Sequence, residues 1–394
     1  MSGLASVVTQ CRVVITCGSG GVGKTTTAAA IGLAAARHTP SRVLVVTIDP
    51  AKRLADALGL AGGVGNVETR VALDDAKGEL WVAMLDTSAS WDDLIHRHAA
   101  DAATATQILA NPLYRNITQR FVQSHDYIAM ERLYDLHADG RFDLIVIDTP
   151  PSRHALDFLD APGRMADFFS SSLLKWITLP YRTLGPRAGR LGYLAARPFY
   201  QVADRTLGSQ FLQDIAEFFL LFQGMYSGFV GRANAVASLL HDPSTTFVVV
   251  SSPEPSPLHE AEFFMRELST RRLQLGGLVL NRVLPDLFEN QSARDEARQL
   301  SRGSGTSTDE RVAIEIGESF LRFAALADRQ RAEIRRLART SEVTVTVPLL
   351  NHDVADLAGV AAIGEQLWTG ADPVTVDAEP PPVRRTAKPR TAKR

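Results

Sequence analysis

Cysteine is almost absent from this chain. Of 394 residues only Cys11 and Cys17 are cysteines, and they flank one short apolar run. That excludes a disulfide framework and a multi-cysteine metal site, and it fits a reducing, cytoplasmic setting. No apolar run is long enough to cross a bilayer. Nor does a basic segment followed by an apolar core and a cleavage site stand at the start, so neither an integral membrane segment nor a signal peptide is expected. A formal net charge of −2 excludes a body built for blanket attraction to nucleic acid or anionic lipid, and no nucleic-acid partner is expected. Methionine is also scarce, with six in all.

What is present is the stock of a large globular core, with 45% hydrophobic and 22% charged residues. Seven short runs rich in β-branched residues recur: RVVITC (12–17), RVLVVTI (42–48), LWVAML (80–85), FDLIVID (142–148), TTFVVV (245–250), GGLVLN (276–281) and EVTVTV (342–347). They are apolar on both faces and separated by helical periods, which predicts buried parallel strands. Two stretches, about 88–138 and 160–240, carry helical periods and no strand pattern. In the second, Phe211, Ile215, Phe218, Phe222, Met225 and Phe229 form a stripe at steps of three and four. Gly208, Gly224 and Gly228 are expected to interrupt or bend it. A further helix is predicted over 311–339. The organisation read from this is one domain over 1–372, with the two helical insertions, and a disordered basic tail over 373–394 that is rich in Pro, Arg and Lys.

The chemistry is concentrated after the first run. Gly18-Ser19-Gly20-Gly21-Val22-Gly23-Lys24-Thr25 satisfies G-x-x-x-x-G-K-[ST] between a predicted strand and the helical run TTTAAAIGLAAAR. Glycines permit the turn that aims backbone N–H groups inward, and the helix N-terminus adds donors and a positive dipole end. Lys24 would neutralise the β- and γ-phosphates, and the Thr25 hydroxyl would ligate Mg2+. Thr26 opens the helix beside them. Asp148, at the end of FDLIVID, supplies the acidic partner for that ion. Asp49 in TIDPAKRLADALG has two open readings. Asp before Pro and helix formers is an N-cap, whereas an aspartate at the carboxyl edge of a strand can orient an attacking water.

The loop, TIDPAKRLADAL and DTPPSRHALDFLDAP (148–162) together resemble the deviant-Walker-A ATPases that include the arsenical pump-driving ATPase and the ATPase for guided entry of tail-anchored membrane proteins. The resemblance implies an α/β fold: a mostly parallel P-loop NTPase sheet with helices on both faces and a helical insert. It also implies ATP hydrolysis coupled to rearrangement of that insert. By the same resemblance Asp49 is the residue that activates water, His154 lies in switch II, and Glu254 contacts the nucleotide. Asn281 in VLNRV corresponds to the amide that reads adenine, favouring ATP over GTP, and Pro348 in VPLLNHDV opens the loop over the base. As plain strand-end residues, Asn281 and Pro348 would make a turn and stop a strand.

Two departures qualify the resemblance. The second loop position, usually a lysine that reaches the partner subunit's nucleotide, is Ser19. The chain is therefore expected to act as a homodimer without that lysine or as a heterodimer with a lysine-bearing paralogue. The second departure is cysteine: with both thiols at the first strand, neither a zinc clasp nor a metalloid triad can form, and an arsenical pump motor is disfavoured. The family's helical insert implies a hydrophobic client protein. With only Met165 and Met225 in 160–240, a methionine-rich groove is not evident, and a nucleotide-dependent regulatory or assembly role without a membrane client stands beside it.

Overall fold

The computed structural model describes residues 3–48, 54–55, 58–60, 65–111, 114, 122–150, 163, 167, 218, 225–303, 305–351, 353–354 and 356–370. Its centre is an eight-stranded sheet of β1 (Val13–Cys17), β2 (Arg42–Thr47), β3 (Thr69–Val71), β4 (Glu79–Met84), β5 (Leu144–Asp148), β6 (Thr245–Ser251), β7 (Leu275–Val283) and β8 (Thr344–Pro348). The order across the sheet is β3-β4-β2-β5-β1-β6-β7-β8. All seven predicted strands are present and parallel; β3, absent from the sequence reading, pairs antiparallel with β4 at one edge.

The helices are α1 (Ala5–Val8), α2 (Lys24–His38), α3 (Thr87–His98), α4 (Ala102–Ala110), α5 (Val122–Asp139), α6 (Tyr226–Leu240), α7 (Pro255–Thr270), α8 (Gln291–Leu300), α9 (Thr308–Leu337) and α10 (Leu357–Thr369). Because a strand's side chains alternate, β1 sends Val14 to one face and Val13 and Ile15 to the other. The Val14 face is covered by the alanine-rich α2 and by α10, which lie against each other. The Ile15 face packs on α5, α6, α7 and the C-terminal end of α9. Strands buried on both faces read as continuous apolar runs, which is why these seven were visible in the sequence.

A third apolar cluster stands apart from the two sheet cores. It joins Trp91, Leu94 and Ile95 of α3 to Ile108 of α4, Ile128 of α5, Phe218 and Met225. Buried Glu131 of α5 meets Arg232 of α6, which also pairs with Asp135. Between 88 and 138 the described residues hold helices and no strand, as expected. Most of the 160–240 insertion, with Phe211, Ile215, Phe222, Gly208 and Gly224, lies outside the described residues, as does the basic tail. Within it Phe218 and Met225 are buried. Gly228 corrects the expected interruption: α6 starts at Tyr226 and runs through it without a break, although an isolated helical glycine costs about 1 kcal/mol.

Candidate functional site

The chain leaves β1 toward β2 on one side, while from β5 it passes to β6 on the other, so the carboxyl ends of β1 and β5 form a topological switch point. The glycine-rich loop emerges there. Gly18 has φ 148°, and a Cβ on it would overlap the Val250 carbonyl oxygen of β6. Gly23, at φ 96°, is the N-cap of α2, so the helix N-terminus opens into the loop. Lys24 is the first residue of α2 and only 5% exposed; its Nζ donates to the Ser19 carbonyl oxygen at 2.9 Å. Ser19 is itself 9% exposed, and its Oγ has no hydrogen-bond partner among the described residues. Gly20 and Gly21 are exposed, Val22 is buried, and Thr26 is half-buried in the first turn of α2.

Sheet register assembles the acidic side. Thr16 lies beside Asp148 across β1 and β5, and Thr47 lies beside it across β2 and β5. Asp148 is fully buried, and its Oδ2 accepts from the Thr25 hydroxyl at 2.6 Å and the Thr47 hydroxyl at 2.9 Å. Thr149 donates to the Thr16 carbonyl oxygen at 2.8 Å and locks β5 to β1 just past the site. A carboxylate so buried is tolerable only when hydrogen-bonded. Thr47 was missed in the sequence; the signal available was a threonine closing RVLVVT at the end of a strand.

The remaining candidates stand at the carboxyl ends of the next three strands. Glu254 follows β6 and is the exposed N-cap of α7, with Pro255 in the first turn. Asn281, in β7, donates from Nδ2 to the Val22 carbonyl oxygen at 2.9 Å and accepts the Arg282 N–H on Oδ1 at 2.9 Å. A Cβ on Gly23 would overlap that Nδ2, so loop and amide fit closely. Arg282 adopts φ 61°, uncommon for a residue with a side chain. Pro348 closes β8 opposite Val283, and Leu349 and Leu350 beyond it are 46% and 36% exposed. Asp49 and His154 lie outside the described residues.

Both cysteines are buried free thiols. Burial pushes Cys17 up to about 12 despite the opposing charge of Lys24, and it raises Cys11 as well. Neither is poised as a nucleophile or metal ligand. Among the described residues no three His, Cys, Asp or Glu side chains cluster as a metal cage. Thr25 and Asp148 offer oxygen atoms only, a donor set that suits a hard divalent cation which keeps much of its water.

A parallel α/β sheet with this loop at its switch point, a lysine and threonine opening the next helix and a buried aspartate facing them define a P-loop nucleotide-binding ATPase. The chain matches the anion-transporting ATPase family over residues 11–180 and 211–311, and it belongs to that family. It is 24% identical over 369 residues to an ATPase ASNA1 homolog of Plasmodium chabaudi chabaudi, covering 90% of this chain and 86% of that one. An ATPase GET3 of Phaeosphaeria nodorum is 25% identical over 285 residues, 72% of this chain and 79% of the relative. An ATPase ARSA2 of Chlamydomonas reinhardtii is 24% identical over 269 residues, 68% and 66% of the two chains. No helix among the described residues is long and apolar enough to cross a membrane.

Proposed function

We propose that this chain hydrolyses Mg-ATP at the β1 loop and couples the nucleotide state to movement of its helical insert. The observation that carries the proposal is the short bond from Thr25 to buried Asp148 at the mouth of the loop. These two residues would hold Mg2+, which would offset charge on the phosphate oxygens. Ser19 through Thr26 wrap the phosphates with backbone N–H groups, and Lys24 exchanges the Ser19 carbonyl for phosphate oxygen. Asp49 positions the attacking water. Asn281 uses one N–H and one lone pair within the protein, leaving one of each for adenine. Glu254 and Pro348 border the nucleoside, and exposed Leu349 and Leu350 offer it an apolar cover.

The core of α3, α4, Phe218 and Met225 supports coupling, because it packs apart from the two sheet cores and reaches them through Ile128 of α5 and Ala233 of α6, the two helices that would carry a shift to the sheet. With Ser19 in the loop, this chain gives no lysine across a subunit contact. Its turnover alone is therefore slow, and it rises when a lysine-bearing paralogue supplies that charge. Buried free thiols support work in the cytoplasm.

The test is ATP turnover and molecular mass of the chain alone, then mixed with such a paralogue. Lys24→Ala should abolish nucleotide binding, and Asp49→Asn should keep binding and remove turnover. Brisk hydrolysis by a homodimer alone would sink the paralogue requirement. Retained hydrolysis in Asp49→Asn would return that residue to helix capping.

A further inference from the structure

Asp148 has one close neighbour that the hydrolysis reading leaves without a task. Thr47, the last residue of β2, is 1% exposed, and its Oγ1 donates to Asp148 Oδ2 at 2.9 Å. The same oxygen accepts from the Thr25 hydroxyl at 2.6 Å. Side chains alternate along β2, so Thr47 faces the side of Val43 and Val45, which α2 covers and where Thr25 stands. Hydroxyls from a strand end and from a helix start therefore converge on one carboxylate oxygen in the interior.

The use made of this hydroxyl differs from that of its neighbours. Thr16 donates to the Ile147 carbonyl oxygen at 3.0 Å and Thr149 to the Thr16 carbonyl oxygen at 2.8 Å, so both lock β1 to the backbone of β5. The end of β2 needs no such lock. It is already held by backbone bonds, from the Ile48 N–H to the Asp148 carbonyl oxygen at 3.1 Å and from the Leu85 N–H to the Thr47 carbonyl oxygen at 2.9 Å. Nor does packing call for a hydroxyl, since valine, of the same shape, occupies the two preceding positions on this face. A hydroxyl that donates to the carboxylate itself governs how that carboxylate is turned.

We propose that Thr47 is a positioning residue for the hydrolysis: it fixes the orientation of the Asp148 carboxylate toward the divalent cation and ties it to the strand end from which Asp49 follows. The inference rests on the reading of this edge as a Mg-ATP site. A hydroxyl has one proton and two lone pairs, so Thr25 can donate to Asp148 and still offer oxygen to the cation. Held by Thr25 alone, the carboxylate would be free to turn with that side chain. With a second donor from a different element, turning breaks a bond anchored in the sheet. Thr47 and Ile48 are consecutive, and they grip the side chain and the main chain of Asp148 respectively. Asp49 comes next in the chain, so the residue that positions water follows directly on the strand end that grips the metal ligand.

The experiment is calorimetric titration of the full chain with a non-hydrolysable ATP analogue, once in excess Mg2+ and once with divalent ions chelated. The ratio of the two affinities measures the coupling between cation and nucleotide without any turnover. The hydroxyl is deleted in two independent pairs, wild type against Thr47→Val and Thr47→Ser against Thr47→Ala. In each pair its loss should cut the ratio about 10-fold, while affinity without Mg2+ changes by less than about 2-fold. Turnover should fall about 10-fold or more in Thr47→Val and Thr47→Ala and stay within about 3-fold of wild type in Thr47→Ser. Thermal unfolding checks each variant, and if one fails to fold the other pair decides. A ratio kept in Thr47→Val and Thr47→Ala, an equal loss with and without Mg2+, or a Thr47→Ser variant no better than Thr47→Ala would reduce Thr47 to packing and overturn the proposal. A wild type whose affinity is the same with and without Mg2+ would overturn the Mg-ATP reading and this inference with it, so the two failures are told apart.

Discussion

The sheet edge that carries the phosphate loop and the α8–α9 arm that follows β7 depart from ordinary packing in opposite directions. At the edge, groups that prefer water are buried: Asp148 is 0% and Lys24 5% exposed. On the arm, groups that avoid water face it: Ile316 is 58% and Phe323 48% exposed. Each arrangement works against the stability of a single chain, the first through desolvation of charge and the second at about 25 cal/mol for every Å² of apolar surface left wet. The kind of departure identifies the kind of partner. Converging N–H groups, an ammonium and a carboxylate suit a small polyanion with a divalent cation, and exposed apolar side chains suit an apolar surface.

Two glycines, one in each region, test this contrast. Gly18→Ala should have the larger effect, because its φ of 148° disfavours any side chain and the obstacle is the Val250 backbone carbonyl, which no rotamer can move. The expected loss is about 3 kcal/mol of stability or more, with nucleotide binding abolished, read by thermal unfolding and ATP titration. Gly317→Ala should be milder. Alanine favours the helix, but it must push α8 away from the Ala297 carbonyl, for a net loss of about 1–2 kcal/mol. ATP turnover per chain should stay unchanged. If Gly317→Ala lowered turnover as much as Gly18→Ala, arm and edge would be one unit and the contrast would fail.

The two regions also differ in how far they could be read from sequence. The loop from Gly18 to Thr25 is contiguous, so its whole donor set is visible in one motif, and the seven central strands are visible because both of their faces are apolar. Thr47 escaped because its bond to Asp148 depends on the register of strands whose partners lie 101 positions apart. Strand β3 escaped because three residues on an antiparallel edge have no period to detect. Helix α9 was visible over nearly its whole length, but its exposed stripe was not. A period of three and four is the same whether the face it marks lies against α8 or against water, and it is the fold, with Gly317 pressed on Ala297 and Ala324 and Ala327 buried, that tells which face is inward.

Asn281 stands between these cases and carries the smallest predicted effect. It has a mapped position in the fold, with Nδ2 on the Val22 carbonyl and Oδ1 on the Arg282 N–H, and a proposed role toward adenine. Asn281→Ala removes two bonds around a buried loop residue and a backbone held at φ 61°, so ATP affinity should fall about 10-fold, equivalent to about 1.4 kcal/mol. Asn281→Asp should be worse than alanine, since it sets a carboxylate against the Val22 carbonyl and adds negative charge beside the phosphate loop. The discriminating measurement is the ratio of ATP to GTP affinity in Asn281→Ala. If the spare N–H and lone pair meet the base, GTP binding should fall less than ATP binding and the preference for ATP should shrink. If both nucleotides lose the same factor, Asn281 acts only as a brace for the loop, and the choice of base belongs to the residues after Pro348.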